Sequence, residues 1–201
     1  MIKQCVQPLA RLLLVAVSVV ILSACESIGK KSSLPVYNSP AFALDNWQIR
    51  GKLGIKTESD RASSSLKWTQ SELDSYQINL AGPLGQGAVK MTAKPDQFTL
   101  VSRGKTYHSE SPRQLLLNQL GWDLPVDHFQ HWVKGVPSPF QRVDAIEYDD
   151  NGTLLSLSQD GWDLEFSRYQ TYGSWTLPGK LTAKIQSLSL TLIIRDWETG
   201  H

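Results

Sequence analysis

Residues 181–194 read LTAKIQSLSLTLII. Leu181, Ala183 and Ile185 alternate, and Leu188, Leu190, Leu192 and Ile194 repeat the same period of two. Successive side chains of a β-strand point to opposite faces, so this spacing predicts strands with one buried and one wet face. That pattern belongs to antiparallel sheets covered on one side.

The period recurs upstream. Trp47, Ile49, Gly51, Leu53 and Ile55 fall on one face of a strand, as do Tyr76, Ile78 and Leu80, then Val89 and Met91, then Phe98 and Leu100. Asp150-Asn151-Gly152 and Asp160-Gly161 fit tight hairpin turns, because Asn-Gly and Asp-Gly tolerate positive φ. They predict a meander over roughly 143–149, 153–159 and 162–169, with Trp162, Leu164 and Phe166 on one face.

Two helices interrupt the strands. Ser111-Pro112 supplies an N-cap with Pro at the first helical position, and Gly121 stops the helix. The second runs from about Pro125 to Lys134, with Val126, Phe129, Trp132 and Val133 on one face. A sheet of about ten or eleven strands curls rather than staying flat. The helices then either fill its concave face as ordinary core or cover a cavity as a lid. The pattern alone favours the filled core.

The first residues set the compartment. Lys3 and Arg11 precede a short apolar run from Leu12 to Leu22, which ends in Leu22-Ser23-Ala24-Cys25. A run this short is a signal peptide rather than a membrane span. The tetrapeptide resembles the lipobox of bacterial lipoproteins, which implies cleavage before Cys25 and lipidation of that cysteine. The expected division is therefore a signal peptide over 1–24, a lipidated cysteine and flexible tether over 25–40, and one domain over 41–201. Glu26 is not the aspartate that favours inner-membrane retention, so the outer membrane, facing the periplasm, is the expected location. Cys5 leaves with the signal peptide, so no thiol pair remains for a disulfide.

Without residues 1–24 the chain carries 18 Lys and Arg against 19 Asp and Glu. No basic field is present to attract nucleic acid. The sequence has no G-x-S-x-G, H-E-x-x-H, Walker or dinucleotide motif, so no enzyme, metal or cofactor is expected. His128 and His131 are spaced to share a helix face and hold a metal, but a partly exposed helix surface is the better reading. Asp149-Asp150-Asn151-Gly152 lacks the later ligands of a calcium loop, and a hairpin turn accounts for it. The same turn accounts for the sequon-like Asn151-Gly152-Thr153.

One stretch resists these readings. Residues 81–87, AGPLGQG, form a turn-rich loop with a lone leucine, Leu84, at its centre. It either reaches into its surroundings or folds back onto the sheet.

Several motifs, taken in order, resemble one family. They are the lipobox at Cys25, residues 47–53 (WQIRGKL), residues 79–85 (NLAGPLG), residues 130–137 (QHWVKGVP) and residues 190–197 (LTLIIRDW). Together they are similar to the outer-membrane lipoprotein receptor LolB family. The resemblance implies an incomplete antiparallel β-barrel of about eleven strands, with a short helical insert covering a hydrophobic cavity. That reverses the preference for a filled core.

It also implies a receptor, acting as a monomer, that accepts lipoproteins from the periplasmic carrier LolA and inserts them into the outer membrane without nucleotide hydrolysis. In the family the loop leucine is needed for insertion. It maps to Leu84, flanked by Pro83 and Gly85. Lipoprotein acyl chains would occupy the cavity, with Trp47, Leu53, Trp68, Leu116, Phe129 and Trp132 as candidate lining residues. A filled-core adaptor without a ligand and a periplasmic hydrolase are the rival classes.

Overall fold

The structure, a computed structural model, describes residues 39–200. The signal peptide, Cys25 and nearly all of the tether lie outside the described residues. A 3-10 turn over Pro40–Ala43 precedes the sheet, and its Ala41 and the following Leu44 are buried.

The first six strands are β1 (Trp47–Lys56), β2 (Arg61–Glu72), β3 (Ser75–Ala81), β4 (Val89–Lys94), β5 (Gln97–Ser102) and β6 (Lys105–Ser109). Two helices follow, α1 (Pro112–Leu120) and α2 (Val126–Trp132). The chain returns through β7 (Val143–Tyr148), β8 (Leu154–Gln159), β9 (Trp162–Ser167), a separate hairpin of β10 (Gln170–Tyr172) and β11 (Trp175–Leu177), then β12 (Lys180–Ile185) and β13 (Leu188–Thr199). Eleven strands form one antiparallel sheet in the order β6-β5-β4-β3-β2-β1-β13-β12-β9-β8-β7.

The first and last strands thus pair at its centre, and β6 and β7 are its two edges. The sheet does not close. The chain between those edges is the helical insert, so the connectivity itself carries α1 and α2 from one edge to the other.

Local chemistry accounts for the elements. Ser111 accepts the Gln114 amide at 3.4 Å, and Gly121 ends α1 in the left-handed conformation. Asp160 and Gly161 both have positive φ (53° and 75°), which suits the tight turn between β8 and β9. The β7–β8 connection is wider than the tight turn that its Asn-Gly suggests. The Asp149 carboxylate accepts the amides of Asn151 (2.9 Å) and Thr153 (2.7 Å) and organises a five-residue loop from 149 to 153. That carboxylate is therefore engaged by backbone rather than offered to a cation.

The central pair contains a bulge. Arg50 pairs with Asp196 while Gly51 pairs with Ile194, so β13 carries one extra residue, Arg195. A Cβ on Gly51 would lie 2.0 Å from the Ile193 carbonyl oxygen. Only glycine permits this approach. Gly54, three pairs further along, would meet the Thr191 carbonyl oxygen at an ordinary 3.7 Å. Gly51→Ala should therefore cost about 1–3 kcal/mol in chemical denaturation, the range of forced overpacking, while Gly54→Ala stays near neutral. Equal midpoints for the two variants would contradict this account of the bulge.

Candidate functional site

The concave face encloses an apolar cavity of about 80 Å³. Its walls come from β1 to β4, β12, β13 and the helical insert, and every lining residue is apolar. Of the residues singled out from the sequence, Leu53, Trp68, Leu116 and Phe129 line it. Trp47 and Trp132 are buried outside that lining. Trp47 packs between Trp68 and Trp197, at ring separations of 5.2 and 5.5 Å. Trp132 turns toward β8, where its indole N–H donates to Gln159 at 2.8 Å. Val133, the next residue, faces the cavity instead.

The lining also includes Ile78, Leu80 and Met91. The alternation of β3 and β4 marks them as one-faced without saying what that face meets. Trp122 and Leu124, in the link between the helices, complete the wall. No periodic signal identifies them.

Buried polar groups fix α2 in place. Gln130 accepts from Gln70 of β2 at 2.8 Å, and Gln70 also accepts the indole N–H of Trp68. On the other side Gln159 of β8 accepts from Trp132 and from the Ser138 amide, and donates to the carbonyls of Ser138 and Gln141. Just past the helix, buried Lys134 donates to the Leu44 carbonyl at 2.9 Å and more weakly to that of Phe42. Burial lowers its pKa to about 8. Helix α1 is held differently. Arg113 pairs with Asp123 and, at 3.1 Å, with Asp160 of the β8–β9 turn. The guanidinium holds the Asp123 carboxyl below its ordinary range.

The two histidines of α2 do not form a partly exposed surface; both are buried. His128 Nδ1 lies 2.9 Å from the Ser138 hydroxyl, and its Nε2 lies 3.5 Å from Asp160. His131 is flanked by the rings of Phe42 and Phe140, and neither ring nitrogen has a hydrogen-bond partner among the described residues. The helix surface is covered by Phe42 and Phe140, which are remote or irregular in sequence and so invisible to helical periodicity.

Leu84 stands apart from the core. It is 97% exposed, at the tip of the loop between β3 and β4, with φ +57°. The Gly82 amide donates to the Gln86 carbonyl (2.9 Å) and closes the loop beneath it. A non-glycine residue in the left-handed region costs about 1–3 kcal/mol, so the backbone is strained where the side chain is presented. Pro83 and Gly85 flank it, Gly85 also at positive φ.

Residues 45–197 match the family model described as outer membrane lipoprotein LolB. An outer-membrane lipoprotein LolB of Pseudomonas fluorescens is 38% identical over 189 residues, covering 89% of this chain and 91% of the relative. One from Pseudomonas putida is 36% identical, covering 91% and 95%. Among solved structures, a LolA superfamily protein from Nitrosomonas europaea superposes with a TM-score of 0.52 at 7% identity, over 80% of this chain and 88% of that one. A DUF1329 family protein from Desulfovibrio piger gives 0.54 at 7% identity, over 79% and 87%. These two likenesses are of fold.

His131 sets a pH dependence. Burial first, then the charge of Lys134, lowers its pKa from 6.5 to about 4. Between those values the unfolded chain binds a proton that the folded protein refuses, so stability falls as pH drops through that window. Burial lowers the His128 pKa in the same direction. His131→Leu should reduce the loss of stability between pH 7 and pH 4.5 in urea titrations. An unchanged loss would contradict a neutral buried His131.

Proposed function

The chain belongs to the outer-membrane lipoprotein LolB family, and we propose that it takes lipoproteins from the periplasmic carrier LolA into its apolar cavity and releases them into the inner leaflet of the outer membrane. The anchor in this reading is the lipid on Cys25, and no nucleotide or catalytic step is involved. The observation that carries it is a wholly apolar cavity roofed by two short helices on an unclosed sheet.

The physics favours such a route. A triacylated cargo buries on the order of forty CH₂ groups at roughly 0.8 kcal/mol each, so exposing it to water costs tens of kcal/mol. Transfer must run from one apolar environment to another. Downhill transfer requires only that the receptor bind more tightly than the carrier and less favourably than the bilayer.

The cavity is narrow as it stands. Its 80 Å³ is far below the roughly 300–1,000 Å³ of ligand-holding clefts. Acyl chains therefore enter only if the roof moves. Helix α2 is pinned by buried amides and Lys134, while α1 is tied by the partly exposed Arg113 pairs. In this reading α1 is the part that moves, and it carries Leu116, a wall of the cavity, away with it.

Leu84 supplies the membrane step. Moving one leucine from water into apolar surroundings gains roughly 2 kcal/mol. That is too little to anchor the protein, but it biases the loop end of the sheet toward the bilayer. In a stepwise assay with labelled lipoprotein on the carrier, Leu84→Glu should still accept the label and fail to deliver it to liposomes. Loss of acceptance, or delivery at the normal rate, would overturn this role.

A further inference from the structure

A second cleft, of about 350 Å³, lies across α2 from the apolar cavity. Val126, Phe129 and Val133 line the cavity, whereas Asp127, His128 and Gln130 line the cleft, so the α2 segment is the partition between them. The cleft's other walls come from the β2–β3 and β4–β5 turns and the start of α1. Its size falls within the range of ligand sites.

Three features give its chemistry. First, Asp74, Glu110 and Asp127 line it against a single cation, Lys94. Second, two of the chain's exposed large apolar side chains, Leu73 (40%) and Phe140 (53%), belong to it. Third, Tyr76 lies in the cleft only 4% exposed, and its hydroxyl has no hydrogen-bond partner among the described residues. A buried hydroxyl without a partner is costly, and native structures rarely keep one without a use. Burial, and after it the charges of Asp127 and Asp74, raise the pKa of the hydroxyl and keep it neutral.

We propose that this cleft is a binding site for a lysine side chain on an extended peptide of a soluble partner. The methylene stem lies against Leu73 and Phe140, the ammonium pairs with Asp74 and Asp127, and the Tyr76 hydroxyl accepts one of its hydrogen bonds. A lipid amine headgroup fits less well, because its phosphate would meet the same carboxylates. Position agrees. The cleft and the Leu84 loop sit at opposite ends of β3, whose seven residues span roughly 20 Å at ~3.3 Å each. With Leu84 toward the bilayer, a point that rests on the receptor reading above, the cleft opens toward the aqueous phase. A peptide seated there touches the partition segment that also walls the acyl cavity.

The test is calorimetric titration of the full chain, in a nonionic detergent, with tetralysine. Saturable binding is expected, weakened about tenfold or more in an Asp74→Asn/Asp127→Asn double variant and absent for the fully acetylated peptide. Tyr76→Phe should weaken binding while leaving the thermal midpoint unchanged or higher, since it removes an unpartnered hydroxyl. No saturable binding, undiminished binding to the double variant, or a lowered midpoint for Tyr76→Phe would each overturn the proposal. So would displacement of tetralysine by phosphatidylethanolamine vesicles, which would make the cleft a lipid site. The label-transfer assay reads the receptor role separately, so failure here leaves that role standing.

Discussion

The buried amides that hold α2 across the sheet are the constraint on which the rest depends. An eleven-stranded sheet whose edges do not pair leaves its concave apolar face open to water. The segment that joins those edges must supply the roof, and α2 is too short to be stable alone. Gln70 and Gln130 fasten it to one half of the sheet, and Gln159 fastens it to the other. Each buried amide left without a partner would cost on the order of 1–3 kcal/mol, so the roof seats in one position. Lys134 extends the arrangement to the N-terminal turn, joining the roof to the segment where the described chain begins.

This fixed roof explains an asymmetry. The cavity side of α2 is apolar, and its other side presents Asp127, His128 and Gln130, so one short element separates the apolar cavity from a cleft of mixed, acidic lining. Helix α1 has no buried amide anchors of this kind: it packs through Leu115 and Leu116 and carries partly exposed ion pairs of the kind that contribute little. In the proposed route the partition stays in place while α1 moves aside for the acyl chains. Leu84, strained at positive φ, stands at the end of β3 remote from that cleft.

Much of this was legible in the sequence. Alternation over 181–194 and 47–55, the Ser111-Pro112 cap with Gly121, and the Asp160-Gly161 turn are local signals, and the strands, α1 and that hairpin follow from them. What was not legible depends on distant partners. Trp47 and Trp132 carry the same apolar signal as Trp68 and Phe129, yet Trp197 and Gln159 draw them out of the cavity lining. His131 is buried because Phe42, some ninety residues earlier, stacks on it. Gln70 and Gln159 read as polar positions on alternating strands, although both face inward. Tyr76 shares the alternation of Ile78 and Leu80 but opens onto the other cleft.

The most direct test of the central claim is to load the chain from the carrier with a lipoprotein bearing a photoactivatable acyl chain, irradiate, and map the crosslinked residues. Crosslinks are expected on the cavity wall, at Leu53, Trp68, Leu116 and Phe129. Crosslinks confined to the outer surface of the sheet, with the wall unlabelled, would contradict it.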